Sequence, residues 1–87
     1  MRLDKFLKIS LIFKTRSSGE KAIEDGRVTL NNCAAKPSAN LKVGDIITIS
    51  TPLKKTAYKV LQLLDKNVDR KLAKETYEVI NEEQFDI

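Results

Sequence analysis

The hydrophobic period of this chain changes at Gly26, and that change limits more than any other feature how the chain can fold. Before Gly26, Leu3, Phe6, Leu7 and Ser10 or Leu11 recur at helical spacing, while Arg2, Lys5 and Lys8 fall on other faces. A first helix is therefore expected from about Arg2 to Leu11. Ser17, followed three residues later by Glu20, has the form of a capping box for a second helix over about Ser18 to Asp25. Ala22 and Ile23 give that helix its inner face, and Gly26 stands where a left-handed cap would end it. Gly19 inside it costs about 1 kcal/mol of propensity relative to alanine, and close approach to the first helix is one way to rationalise it.

After Gly26 the period is that of a strand. Val28 and Leu30 alternate with Arg27, Thr29 and Asn31, and Asn31-Asn32 supplies a turn whose residues tolerate positive φ. Pro37-Ser38 and Val43-Gly44-Asp45 punctuate the next stretch, and the β-branched run Ile46 to Ser50 reads as a strand closed by Pro52. Thr56 to Leu64 reads as a further strand. Asp69 to Ile80 places Leu72, Ala73, Thr76, Tyr77 and Ile80 on one helical face, with Arg70, Lys71, Lys74, Glu75 and Glu78 outside, so a C-terminal helix is expected there. The acidic residues that follow are expected to fray. The fold class is α+β: an N-terminal helix pair packed on a small, mostly antiparallel sheet, with a short C-terminal helix. Residues 1–64 would form the main module, and residues 65–87 a helix and acidic tail packed on or extending from it.

With 87 residues the chain has room for one modest core and no large catalytic cleft. Its net charge of +4 is unevenly distributed. Arg2, Lys5, Lys8, Lys14 and Arg16 face only Asp4 in the first sixteen residues, whereas Glu75, Glu78, Glu82, Glu83 and Asp86 follow one another without a basic residue. There is no histidine, which removes the usual general base near neutral pH and the commonest metal ligand. Cys33 is the single cysteine, so neither an internal disulfide nor a thiolate-built zinc site can form. Charges at Arg2, Asp4, Lys5 and Lys8 interrupt any signal-peptide core, and no stretch has the length of a membrane span. A soluble cytoplasmic protein without cofactor, metal or enzymatic activity is expected.

The basic residues carry the functional reading. If the first helix leads into a second beginning near Ser17, the Arg16 guanidinium lies beside that helix's unpaired N–H groups, where a helix favours an anion. Arg2, Lys5, Lys8 and Lys14 would widen the field for a nucleic-acid phosphate, although a solvated helix face explains basic residues about as often. Asp4 could orient Arg2 or the second helix, but a first-turn acid favouring the helix dipole explains it somewhat better. Arg27, Asn31 and Lys36 surround the strand and turn and could extend the face, while ordinary turn chemistry accounts for Asn31 and Asn32 equally well. Phe6 and Tyr77 read as core rather than base-stacking platforms, and Cys33 as a small buried or half-buried residue.

These blocks, in this order, resemble the RNA-binding domain first named for small-subunit ribosomal protein four, the S-four domain. The resemblance runs from Arg2 to about Ser50 through Arg2-Leu3-Asp4-Lys5-Phe6-Leu7, Lys14-Thr15-Arg16-Ser17, Gly26-Arg27-Val28-Thr29-Leu30-Asn31, Lys36-Pro37-Ser38 and Gly44-Asp45. It implies an L-shaped module that grips structured RNA with the start of its second helix, and it implicates Arg2, Asp4, Lys5, Thr15, Arg16, Ser17, Lys21, Arg27 and Asn31. The chain is most similar in shape to the ribosome-associated quality-control factor P family, with features of the ribosome-associated small heat-shock proteins. That similarity implies docking on large-subunit ribosomal RNA and peptidyl-tRNA after a stalled chain has been split from the small subunit, in support of C-terminal tailing or recycling. Other quality-control factors are implied as partners, a membrane is not, and a monomer is expected. Gly19 and Asn32 depart from the family's usual alanine and Asn-Gly turn. Two other readings stay open: an RNA- or DNA-binding regulator acting off the ribosome, and a protein-interaction module using the C-terminal helix.

Overall fold

In the computed structural model, which describes residues 1–64 and 68–85, two helices are followed by an antiparallel sheet whose last strand is the C-terminal segment. The elements are α1 (Leu3–Ile9), α2 (Arg16–Glu24), β1 (Val28–Leu30), β2 (Cys33–Ala34), β3 (Ile46–Ser50), β4 (Lys54–Val60), α3 (Arg70–Lys74) and β5 (Tyr77–Gln84). The strand order is β2-β1-β3-β4-β5, and every pairing is antiparallel. Register places Val28 opposite Ile49 and Leu30 opposite Ile47, so these apolar side chains share one face of the sheet. That face closes on Leu3, Phe6 and Leu7 of α1, Ala22 and Ile23 of α2, and Leu41 from the loop before β3. Phe6 is 1% exposed, as expected of a core residue.

Each boundary has a local cause. The first N–H groups of α1 are satisfied by the loop rather than by a side chain: Leu3 N–H donates to Ala39 O (2.9 Å) and Asp4 N–H to Pro37 O (3.1 Å). The Lys36-Pro37-Ser38 block thus closes the start of α1. The helix stops at Ser10 because Leu11 turns left-handed, with φ of 61°. At the other end of α2, Gly26 at φ 78° completes a Schellman motif, with Gly26 N–H on Ile23 O (3.1 Å) and Arg27 N–H on Ala22 O (3.0 Å). Asn31 and Asn32, at φ 51° and 66°, form the two-residue turn from β1 to β2.

Four expectations need correction. The second helix begins at Arg16, capped by Thr15 and not by Ser17, with Ser18 in place of Glu20 as the reciprocal partner. Gly19 is buried, but a Cβ there would lie 3.4 Å from Leu7 Cβ and 3.7 Å from Phe13 Cγ, ordinary contact distances, so helix approach does not require glycine. Cys33 is exposed on β2.

The largest correction concerns the C-terminus. The helix expected over Asp69 to Ile80 is only five residues long, Arg70–Lys74, capped by Asp69, whose carboxylate accepts from Leu72 N–H (2.9 Å). Tyr77 onward joins the sheet as β5 and pairs along all of β4. Only Ala73 and Thr76 of the supposed inner face are fully buried, whereas Leu72 and Ile80 are exposed. The run Tyr77-Glu78-Val79-Ile80 suits a strand, and pairing with β4 overrides the helical spacing. Far from fraying, Phe85 N–H still donates to Leu53 O (3.0 Å). The boundary drawn between residues 64 and 65, and the last two residues of the tail, lie outside or at the edge of the described residues.

Candidate nucleic-acid interface

Asp4 organises the N-terminal basic residues. Its side chain is 1% exposed, and its carboxylate receives two arginines from different elements. Arg2 donates through Nε to Oδ1 and through Nη2 to Oδ2, each at 3.2 Å. Arg16 donates through Nη2 to Oδ1 (3.3 Å), with its Nε 3.2 Å from Oδ2. The Lys5 N–H adds a bond of 2.8 Å to Oδ1. Burial by itself pushes the Asp4 carboxyl up. The hydrogen bonds from Arg16 and Arg2, the Arg16 charge and the Lys5 N–H outweigh that push and hold it below its ordinary 3.8. Asp4 is therefore an orienting residue and not merely a first-turn acid, which reverses the preference drawn from sequence. Both arginine side chains remain about half exposed, at 52% and 48%, with N–H donors left over.

The start of α2 strengthens the field. Ser18 N–H donates to Thr15 Oγ1 (3.1 Å), Thr15 N–H to Ser18 Oγ (3.4 Å), and Thr15 Oγ1–H to Ser18 Oγ (3.0 Å). This capping box is neutral, and no acid stands in the first turn of α2. The positive end of the helix dipole is left uncompensated from within the helix, and the Arg16 and Ser17 N–H groups have no intrahelical acceptor. Arg16, the first residue of α2, joins this helix start to the Asp4 carboxylate and through it to Arg2.

The other expected site residues distribute around this centre. Lys5 and Lys8 are half-buried on α1, and Lys14 is exposed just before the cap. Lys21 and Arg27 line one open depression with Phe13, Ser18, Ala22 and the acid Asp25. Lys36 is exposed on the loop that closes the start of α1. Asn31 is engaged in the fold: its Oδ1 accepts from Ile46 N–H (2.9 Å) and its Nδ2 donates to Asp45 Oδ1 (3.3 Å). Its amide pins the β1–β2 turn to β3 and keeps a second Nδ2 N–H and a second Oδ1 lone pair. Sequence reasoning missed two cations, Arg70 and Lys74, which line a depression with Lys14. Their i,i+4 spacing was the available signal. Among the described residues no group of three or more His, Cys, Asp or Glu could hold a metal ion, and no helix is long and apolar enough to cross a membrane.

Residues 1–47, which carry both arginines, Asp4, the α2 cap and the closing loop, match the model of the S4 domain. The chain belongs to the S4 domain family. It is 38% identical over 86 residues to the RQC P-site tRNA stabilizing factor of Listeria monocytogenes, covering 99% of this chain and 92% of that one. The RQC P-site tRNA stabilizing factor of Bacillus subtilis is 34% identical over 85 residues, covering 98% of each chain. Among solved structures, heat shock protein 15 of Vibrio cholerae, described as trimeric, superposes with a TM-score of 0.85 at 29% identity, covering 91% of this chain and 80% of that one. The α+β class and the S-four resemblance both hold, and both groups of relatives expected from the sequence are found.

Proposed function

We propose that this protein is an RNA-binding factor of ribosome-associated quality control that docks on large-subunit ribosomal RNA and the adjacent peptidyl-tRNA, in support of C-terminal tailing or recycling of stalled chains. The observation that carries this reading is the buried Asp4 carboxylate, which aims Arg2 and Arg16 to one side of the uncompensated start of α2. Two oriented guanidiniums beside free backbone N–H groups suit a pair of phosphates on a folded RNA backbone. Lys5, Lys8, Lys14 and Lys21 widen the field, Thr15 and Ser17 present the helix start, and Arg27 and Lys36 extend the grip. Asn31 contributes by holding the turn. The relatives named as P-site tRNA stabilizing factors support the ribosomal and tRNA assignment. Selectivity comes from RNA shape, since phosphate contacts carry no base code. The protein performs no chemistry itself, acts in the cytoplasm as a monomer, and works alongside other quality-control factors.

The rival reading as a protein-interaction module depended on an apolar C-terminal helix with an acidic tail, and those residues form β5 against β4. An off-ribosome regulator is separated by co-sedimentation with purified large subunits at low salt. The unaltered chain is expected in the subunit fraction, and R2A/R16A is expected to fall out of it, with a salt slope shallower by about two. Absence of the unaltered chain from that fraction would sink the ribosomal reading; retention of R2A/R16A at full affinity would sink the site.

A further inference from the structure

An open depression of ≈ 350 Å³ is lined by Ser10, Leu11 and Lys14, which follow α1, and by Arg70, Lys74 and Tyr77 of α3 and β5. We propose that it is a second binding site for an RNA phosphodiester backbone, separate from the Arg2–Arg16 face and gripped by Lys14, Arg70 and Lys74. The proposal rests on the RNA-binding reading above and adds a site to it.

The lining holds three cations and no carboxylate. Among the described residues none of the three is within ion-pair distance of an acid. Arg70 and Lys74 stand one turn apart on α3, so they face the same way and repel one another. A phosphate bound between them would relieve that repulsion.

The walls are fixed by the fold. α3 is too short to persist by propensity. Its end is held by Thr76, fully buried, whose N–H and Oγ1 both bond Ala73 O and whose carbonyl accepts from Leu61 and Gln62 N–H. Gln62 Nε2 donates to Glu75 O (3.4 Å), and Tyr77 is set edge-on against Tyr58, ring centroids 5.2 Å apart at 87°. On the opposite wall Leu11 is held in the left-handed region by the end of α1. Leu11 and Tyr77 add apolar surface beside the three cations, which supply the charge for phosphates.

An RNA backbone is favoured over an acidic protein by continuity. Lys14 immediately precedes the Thr15 cap, so the two basic sites adjoin across a single residue. The depression is open to solvent, which suits a passing strand better than an enclosed small molecule.

The test uses the R70Q/K74Q chain, titrated against purified large ribosomal subunits and against protein-free ribosomal RNA extracted from them, at several salt concentrations. Both residues are exposed, so the fold should survive, which circular dichroism checks. A charge-preserving exchange (R70K/K74R) and K55Q/K59Q, which removes the same charge from β4, are run alongside. Expected is a loss on the order of tenfold on both RNAs and a salt slope shallower by about two, with R70K/K74R near the unaltered chain and K55Q/K59Q well above R70Q/K74Q. Unchanged affinity and slope for R70Q/K74Q, with R2A/R16A still defective, would overturn this site and leave the first intact. An equal loss for K55Q/K59Q would reduce the effect to net charge, and a loss confined to intact subunits would assign the depression to a ribosomal protein; either overturns it. If the unaltered chain binds neither RNA, this site falls together with the RNA-binding reading.

Discussion

The two ends of the molecule both carry dense charge and treat it in opposite ways. At the N-terminal helix pair, two arginines converge on one buried carboxylate, and positive charge is left over. At the sheet edge, antiparallel register sets Glu78 opposite Lys59 and Glu83 opposite Lys55, while Glu82 Oε1 lies 3.3 Å from Lys54 Nζ. The acids of β5 are answered one for one by the lysines of β4. The chain's net charge therefore does not describe its surface: the β4–β5 edge largely neutralises itself and the helix pair does not. Burial also separates the two, since a carboxylate at 1% exposure is structural whereas a pair at 51% and 41% is screened by solvent.

The sharpest way to break this contrast is Asp4→Asn, which keeps the shape and removes the charge. It should cost about 2 kcal/mol of folding stability, the range for hydrogen bonds to a charged group, read by urea unfolding at neutral pH. The pH dependence follows with a definite sign. Because the folded carboxyl titrates below its ordinary 3.8, the stabilisation is complete above that value and is lost as pH falls through the lower folded value. Asp4→Asn should flatten that acid limb, and an unchanged limb would show that the clamp contributes nothing to stability. Gly19→Ala asks whether the helix pair is held by close packing or by the clamp. A methyl fits at ordinary contact distance, so a gain of about 1 kcal/mol is expected; a loss would mean that the helices need the closer approach. The smallest effect belongs to the sheet edge. A double-mutant cycle of Lys54→Gln and Glu82→Gln should return a coupling of about 0.5 kcal/mol or less, and a value matching that of Asp4 would erase the distinction.

What could be read from the sequence follows the range of the interactions involved. α1 and β1 declare themselves by period, α2 by a capping pattern and its terminal glycine, β3 by its β-branched run, and Gly26, Asn31 and Asn32 by their tolerance of positive φ, because those signals are local. The start of α2 departs from the Ser17–Glu20 pattern: Thr15 and Ser18 make the reciprocal capping bonds, and the helix that begins at Arg16 carries a guanidinium bonded to Asp4. β5 was misread because Leu72, Ala73, Thr76, Tyr77 and Ile80 mimic helical spacing, and only pairing with β4 reveals a strand. The complementarity of Lys54, Lys55 and Lys59 with Glu78, Glu82 and Glu83 was present in the sequence, but it has meaning only once register is known. Asp4 was underrated for the same reason, since its burial depends on residues far along the chain.

The Asp4 clamp has one more consequence, for the rate and sharpness of recognition. Long arginine side chains ordinarily sample many rotamers, and stilling one on contact with a partner costs about 0.5–1.5 kcal/mol. Here that freedom is surrendered during folding, before any partner arrives. An incoming backbone meets two guanidiniums already at a fixed separation and angle, and a surface whose phosphates are spaced differently cannot recruit them by simple adjustment. The buried acid thus acts as a ruler for the anion it never touches.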